Sequence, residues 1–367
     1  MTTDPNREFF LQLLEQRGLL GGRFGQIERL DANGGGGMFS LMFRAVDTQL
    51  DRSVAIKVFH PERRNDAYRV ACFEREEQML SAMKGQPGIV QLTSAREEVV
   101  HSVSAGLPSA LSWSFPYFGM ELADSDLASD IAAGGYDPET ALLVFREVCK
   151  PIQRLHRGSI VHRDLKPGNC LRMKRGVVKV ADLGTARNLT EKALLADYGV
   201  MWPGDYRYVP PEMIAGLFAE SPSLAYLADF FALGSILFEL FAGVTLTTQV
   251  YERGLVEDLM ATMAHVPVGK RQQTLDGFIA QLAASRQLPS VADYGADVPR
   301  CIRYRLDDLY QALCALDYHK RLHQFSRVFR QVDAALLVLR NEEKYRKWKQ
   351  EKRRRRAIAI STGRLRR

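Results

Sequence analysis

The stretch IVHRDLKPGNC, Ile160–Cys170, sets an acid, an amine and a carboxamide within six residues: Asp164, Lys166 and Asn169. Pro167-Gly168 favours a turn between them, because proline fixes φ and glycine tolerates backbone conformations that other residues resist. On one loop, a carboxylate can orient a hydroxyl, an ammonium can neutralise a phosphate and a carboxamide oxygen can ligate a metal. Read alone, the same residues also suit a solvated, charge-rich surface turn. A little downstream, VKVADLG, Val178–Gly184, reads as a strand with Asp182 at its end. A strand-end carboxylate near a loop carboxamide suits Mg²⁺, which takes one or two protein oxygens and completes its shell with phosphate oxygens.

The segments upstream and downstream fall into two regimes. Strand-like runs occupy Phe24–Leu30, Met38–Ala45, Val54–Phe59, Gly88–Leu92 and Trp113–Leu122, with an amphipathic helix over Asp66–Met83. From about Pro138 the pattern is mainly helical: Thr140–His156, Leu224–Ala242, Val256–Met263, Gln273–Ala284, Tyr304–Leu316, and Phe325 to about Lys352. Residues 5–20 also carry helical periodicity. A strand-rich first third followed by a helix-rich remainder predicts an α+β protein of two lobes.

Bulk properties exclude several classes. The chain has 367 residues, 46% of them hydrophobic and 25% charged, which is ordinary globular composition. Five scattered cysteines without a CxxC pair argue against a disulfide framework or zinc site and for a reducing, cytoplasmic setting. No secretory signal pattern opens the chain. The most apolar window, Ala228–Thr245, is interrupted by Asp229 and Glu239, so a buried helix is expected there rather than a transmembrane segment. Residues 341–367 hold twelve Lys/Arg against three Glu, a net +9, which leaves −2 for residues 1–340. The basicity is a tail. It suits either an anionic partner for 344–367, nucleic acid or acidic lipid, or simple solubility.

These segments, in this order, resemble the eukaryotic-type (Hanks-type) protein kinase family, in its Ser/Thr branch. HRDLKPGN is similar to the family's catalytic loop, and DLG at Asp182–Gly184 to its metal-binding DFG. VAIK, Val54–Lys57, resembles the strand whose lysine holds the α- and β-phosphates of ATP. FEREEQML, Phe73–Leu80, resembles helix C, with Glu76 as the partner of Lys57. GMELADSDL, Gly119–Leu127, resembles the hinge, with Met120 at the gatekeeper and Glu121–Ala123 offering backbone groups to adenine. YRYVPPE, Tyr206–Glu212, resembles the APE segment. DFFALGSILFELFAG supplies the buried-helix Asp229, and Arg321 fits the arginine that pairs with Glu212.

The resemblance implies a bilobal kinase fold with a helical extension over 1–23, a kinase domain over 24–336 and a basic helix and tail over 337–367. Within the domain it implies an N-lobe over 24–119, a hinge over 120–124 and a C-lobe over 125–336. It also changes the reading of Gly34–Gly37, which alone would suggest a linker. Lying one strand before Lys57, this run sits at the family's glycine-rich loop, with Gly35, Gly37 and Ser40 on the three loop positions, where a Cβ would obstruct close approach of phosphate to backbone N–H groups.

The implied activity is transfer of the γ-phosphate of ATP, with Mg²⁺, to Ser/Thr hydroxyls of a protein substrate. Lys57, held by Glu76, would clamp the α/β-phosphates; Asn169 and Asp182 would hold the metal; Lys166 would neutralise the γ-phosphate; Asp164 would act as catalytic base. Met42, Ala55 and Leu171 match the positions that sandwich adenine and equally suit core packing. Arg163 matches an arginine that binds a phosphate on the activation segment, for which Thr190 is best placed by spacing.

Three departures stand out. Asp205 occupies the place of a threonine that bridges the catalytic aspartate and the nearby lysine; an aspartate there can pair with Lys166 but repels Asp164. Leu183 replaces the phenylalanine of DFG, and PPE replaces APE. Leu322 replaces a proline after Arg321. Asp205 keeps an alternative open: a nucleotide-binding pseudokinase scaffold that signals through conformation and its basic tail.

Overall fold

The computed structural model describes residues 12–14, 18–30, 40–103, 111–191, 204–217, 223–251, 253–285, 287–294 and 298–361. Gly35 and Gly37 lie outside them. Five strands, β1 (Phe24–Arg29), β2 (Ser40–Asp47), β3 (Arg52–Phe59), β4 (Glu97–Val103) and β5 (Leu111–Glu121), form an antiparallel sheet of order β1-β2-β3-β5-β4. Between β3 and β4 runs helix α1 (Ala67–Ala82), started by Asp66, whose carboxylate accepts from the Arg69 N–H at 3.1 Å.

The chain divides into two compact units. The first holds the sheet, α1, and residues 150–205 with 218–225. Its strand β3 is buried from Val54 through Phe59 rather than alternately, which happens when a sheet is covered on both faces. Pairing register shows how. Met42 faces Lys57, Arg44 faces Ala55, and β5 sets Met120 opposite Ala55 and Phe118 opposite Lys57, so all these share one face. Helix α1 packs there: the Phe73 ring lies 5.3 Å from Phe59 and 5.0 Å from Phe118. Leu41, Phe43, Ala45, Val54, Ile56 and Val58 share the opposite face, and Leu13, Leu14 and Leu20 from the N-terminal segment close over it.

Arg23 fastens that segment to the sheet. Its guanidinium grips the fully buried Asp47 carboxylate at 2.9 and 2.6 Å and donates to Thr93 O at 2.9 Å. The Asp47 carboxyl is held below its ordinary pKa by the Arg23 hydrogen bond, against the cost of burial.

Beyond β5 the described chain continues through β6 (Ser125–Asp126), α2 (Leu127–Ala132), α3 (Pro138–Arg157), β7 (Ile160–Val161), β8 (Cys170–Arg172), β9 (Val178–Val180) and β10 (Arg187–Asn188). After these come α4 (Pro211–Ile214), α5 (Ser223–Ala242), α6 (Thr247–Val250), α7 (Arg253–Ala264), α8 (Arg271–Ser285), α9 (Arg300–Leu313) and α10 (Phe325–Ser361). The α+β class with a helix-rich remainder is as expected.

The second unit is built on α5 and α9. Gly234 is pressed so close to α9 that an added Cβ would meet Cys314 Sγ at 2.5 Å and Leu313 Cβ at 2.7 Å. The predicted Glu212–Arg321 pair is present and buried, with Arg321 also donating to Ala315 O and Leu227 O. Helix α5 is long and apolar enough to span a membrane, yet 83% of that window is buried inside the protein, as a core helix would be.

Three expectations are corrected. Gly88–Leu92 forms no strand; only isolated bridges tie Ile89 to Val180 and Leu92 to Met120, because the sheet position beside β5 is taken by β4. Strand β4, Glu97–Val103, carries too mixed a pattern, EEVVHSV, to announce itself. And α10 does not end near Lys352 but continues to Ser361, helped by Arg346–Glu342 and Arg355–Glu351 pairs at helical spacing.

Replacing Arg23 by alanine leaves the Asp47 charge buried with only the Gln49 and Leu50 amides for partners. A loss of about 2–3 kcal/mol is expected at neutral pH, somewhat under the ~3–5 kcal/mol typical of a broken buried pair. The contribution of Asp47 is present above its ordinary pKa of 3.8 and is lost as pH falls through its lower folded value. Denaturant titration of both proteins from pH 7 downward should therefore show the gap closing only in acid.

Candidate active site

The loop Ile160–Cys170 is tied down at both ends. Before it, β7 pairs with β10; after it, β8 pairs with β9. A single turn at Pro167–Asn169, closed by the Asn169 N–H on Lys166 O at 3.0 Å, brings the polar residues into register. Asn169 donates its amide group to Asp164 O at 2.7 Å and to Asp164 Oδ2 at 3.2 Å, which leaves the carboxamide oxygen as its acceptor end. Lys166 Nζ donates to the same Asp164 Oδ2 at 2.9 Å. Burial opposes the Lys166 charge, but Asp164, then Asp182 and Asp205, outweigh it and hold its pKa above the ordinary lysine value. His162, fully buried, bridges Ala181 O and the Asp164 N–H.

The second cluster joins three distant segments. Lys57 Nζ donates to Glu76 Oε2 at 2.5 Å and to Asp182 Oδ1 at 3.2 Å. Lys57 comes from β3; Glu76 lies three residues beyond Phe73 on α1 and so shares the buried helix face; Asp182 follows β9 with φ +61°. Burial opposes the Lys57 charge, but the Asp182 and Glu76 carboxylates raise its pKa. Glu76 is pushed up to about 7, chiefly by burial. Asp182 is held below the ordinary carboxylate value, because Lys57 and Lys166 outweigh desolvation. Its side chain still exposes 39% of its surface, an opening through which a ligand can reach it.

The other expected residues that the structure describes lie on β2, β3, β5 and β8 and in the connection after β5. Ser40, Met42 and Ala55 share the sheet face of Lys57, and Leu171 sits half-buried on β8. Glu121 ends β5, its N–H on Gln91 O and its carboxylate on Lys179 at 2.5 Å, while Ala123 follows in the half-buried connection. Asp205 reaches Asp164 through its backbone, donating its N–H to Asp164 Oδ1 at 2.8 Å.

Two features escaped the sequence reading. Gly204 has φ +87°, and an added Cβ would stand 2.5 Å from Arg163 O; its identity as a required glycine shows only once the chain is seen pressed on the Ile160–Cys170 loop. The other is the presence of Arg75 and Arg187 beside Arg163, whose phosphate-binding role the resemblance had already implied. Arg163, 8% exposed, donates to Thr185 O at 2.7 Å, and Arg75 donates to Ala186 O at 3.3 Å. Arg187, 6% exposed, has Nε and Nη1 buried without hydrogen-bond partners. Burial, together with Arg187 and Arg75, pushes the Arg163 guanidinium down to about 10. Such a group attracts an anion, and Arg187, five residues after Asp182, was the available signal.

Among the described residues no cluster of three His, Cys, Asp or Glu could hold a metal alone. Asp182 with the Asn169 oxygen has the chemistry of a donor set that could hold a cation also bound by phosphate oxygens, as Mg²⁺ is.

Residues 30–331 match the family model of the protein kinase domain. Similar curated proteins include a probable serine/threonine-protein kinase PknB of Bifidobacterium longum, 32% identical over 61% of this chain and 31% of that protein. Serine/threonine-protein kinase PrkC of Bacillus subtilis is 33% identical over 61% of this chain and 32% of its own length. PksC of Streptomyces coelicolor is 33% identical over 62% and 38%. The chain thus spans about a third of the length of the curated relatives it matches.

Changing Gly204 to alanine forces the chain off the Ile160–Cys170 loop. A loss of about 1–3 kcal/mol is expected from the φ strain and the contact, and amide exchange at Asp205 should quicken well beyond the change in global stability.

Proposed function

The chain belongs to the protein kinase family, and from that premise we propose that it is a serine/threonine protein kinase with residues 24–336 as its kinase domain. The observation that carries the reading is the pair of ionic clusters, Lys57–Glu76–Asp182 and Asp164–Lys166–Asn169, assembled from four segments. Phosphoryl transfer needs positioning and charge neutralisation more than covalent help from the protein, and these clusters supply both.

Lys57, kept in place by Glu76, holds the α- and β-phosphates of ATP; the resemblance assigns Gly35, Gly37 and Ser40 to the same phosphates. Met42, Ala55 and Leu171 flank the adenine, whose edge meets backbone groups of Glu121–Ala123. Asp182 and the Asn169 oxygen hold Mg²⁺, which neutralises phosphate charge when bound. Lys166 stabilises the γ-phosphate as it moves. Asp164 orients the acceptor hydroxyl and takes its proton while the new O–P bond forms and the bond from the γ-phosphorus to the bridging oxygen breaks.

The intact clusters support turnover over a pseudokinase scaffold, which would need only the nucleotide-holding part. The buried Arg163 and Arg187, with the half-buried Arg75, support a site for a phosphate carried by the activation segment. Thr190 supports that role as well: its exposed hydroxyl donates to a near neighbour, Asn188 Oδ1, at 2.8 Å.

With labelled Mg²⁺-ATP, the full chain is expected to transfer phosphate to itself and to a generic protein substrate. Asp164→Asn should lower the rate about 10²–10⁴-fold while leaving nucleotide affinity nearly unchanged; equal incorporation by both proteins would refute the assignment. Phosphopeptide mapping should find Thr190 in the labelled wild type, and Arg187→Ala should remove the gain in rate that follows preincubation with ATP.

A further inference from the structure

We propose that the C-terminal part of α10 is a docking rod for duplex DNA, held through its phosphates without regard to sequence. The proposal stands apart from the phosphotransfer reading above. The buried face of α10 runs through Val328, Val332, Ala335, Leu336 and Leu339 and stops there. Glu342 is half-buried, and from Glu343 to Arg355 every described side chain is exposed. The backbone nevertheless stays helical to Ser361. Residues 343–356 hold nine Lys/Arg against two Glu, a net +7. Glu342, Glu343 and Glu351 pair along the helix with Arg346, Lys347 and Arg355, which stiffens it yet leaves those three cations 64%, 80% and 79% exposed.

The arrangement of these charges selects the partner. At 3.6 residues per turn the nine cations fall all round the axis, with no gap wider than about 80°. The apolar residues form no stripe: Ile358 and Ile360 stand about 160° apart. A lipid surface touches one side of a helix and anchors it by an apolar face, which this segment lacks. Single strands are held by rows of stacking aromatics, and here there are two, Tyr345 and Trp348. The major groove of a duplex is about 12 Å wide, admits a helix of about 10–12 Å diameter and carries phosphates along both walls. Cations on opposite sides of the rod then each meet an anion. The stretch 344–356 is about 18 Å long and lies beside about ten phosphate charges, at one per ~1.7 Å of duplex axis. Residues 1–340 are net −2, so attraction to a polyanion is concentrated on the rod.

Fluorescence anisotropy of the full chain with a labelled duplex of about 20 base pairs tests this, beside the same sequence as a single strand, poly-glutamate of equal charge, and phosphatidylcholine vesicles containing about a third phosphatidylserine. If about five of the nine cations meet phosphates, affinity for the duplex should fall about 10²–10³-fold between about 50 and 200 mM salt, and scrambling its sequence should change nothing. The joint change Arg353→Gln, Arg354→Gln, Arg355→Gln and Arg356→Gln should weaken binding at low salt at least about tenfold and flatten the salt dependence. Gln350→Pro keeps every charge but interrupts the helix, and should weaken binding by about tenfold as well. Both variants should keep the wild-type thermal midpoint, because the buried contacts of α10 end at Leu339.

Preference for the duplex over the other three anions, lost in both variants, would support the proposal. No binding to the duplex at low salt would overturn it, as would wild-type affinity in the arginine-replaced variant, which would place the contact elsewhere. Wild-type affinity in Gln350→Pro would overturn the rod and leave only diffuse charge. Tighter binding to vesicles, to the single strand or to poly-glutamate would overturn the choice of partner.

Discussion

The Lys57 ammonium between the Glu76 and Asp182 carboxylates is the contact on which the rest of the site depends. It joins residues 19 and 125 positions apart in the chain, so it exists only when β3, α1 and the segment after β9 are all in place. A buried ammonium is tolerable because two carboxylates offset its desolvation. Glu76 in turn keeps Oε1 buried, with no hydrogen-bond partner among the described residues. The Lys57 pair is therefore a test of assembly as well as a piece of chemistry.

Much of this was legible in the sequence because the chemistry is local there. Asp164, Lys166 and Asn169 fall on one loop, and Pro167-Gly168 dictates its turn. Lys57 and Asp182 sit in or after apolar β runs, and Asp66 marks the start of α1. What could not be read was non-local. Leu13, Leu14 and Leu20 look like any amphipathic helix or turn until the outer face of the sheet appears beneath them. Arg75 and Arg187 are unremarkable as surface charges and acquire meaning only beside Arg163. Strand β4 is recognisable by its partner β5 rather than by its own alternation. Helix α10 outran its expected end because propensity and spaced Glu–Arg pairs prevailed over the repulsion of Arg353–Arg356.

The backbone around the catalytic loop is unusually constrained. Arg163 and Asp182 both adopt positive φ, +66° and +61°, without being glycine, and Gly204 makes a close approach that no other residue could. Such conformations cost free energy and persist where the surroundings over-determine them. Here the surroundings are the β7–β10 and β8–β9 pairs, which fix the two ends of the loop while Thr185, held to His162 O at 3.1 Å, fixes its flank. The strain sits where side chains of opposite charge must be aimed within a few ångströms of one another.

The N-terminal segment carries a different lesson. The match to the family begins at residue 30, yet Leu13, Leu14 and Leu20 belong to the same apolar cluster as β2 and β3, and Arg23 ties them to Asp47 across the sheet. The strand that bears Lys57 is thus sealed by residues that lie outside the family-model match. In this chain the packed unit reaches beyond the residues that carry the family's pattern.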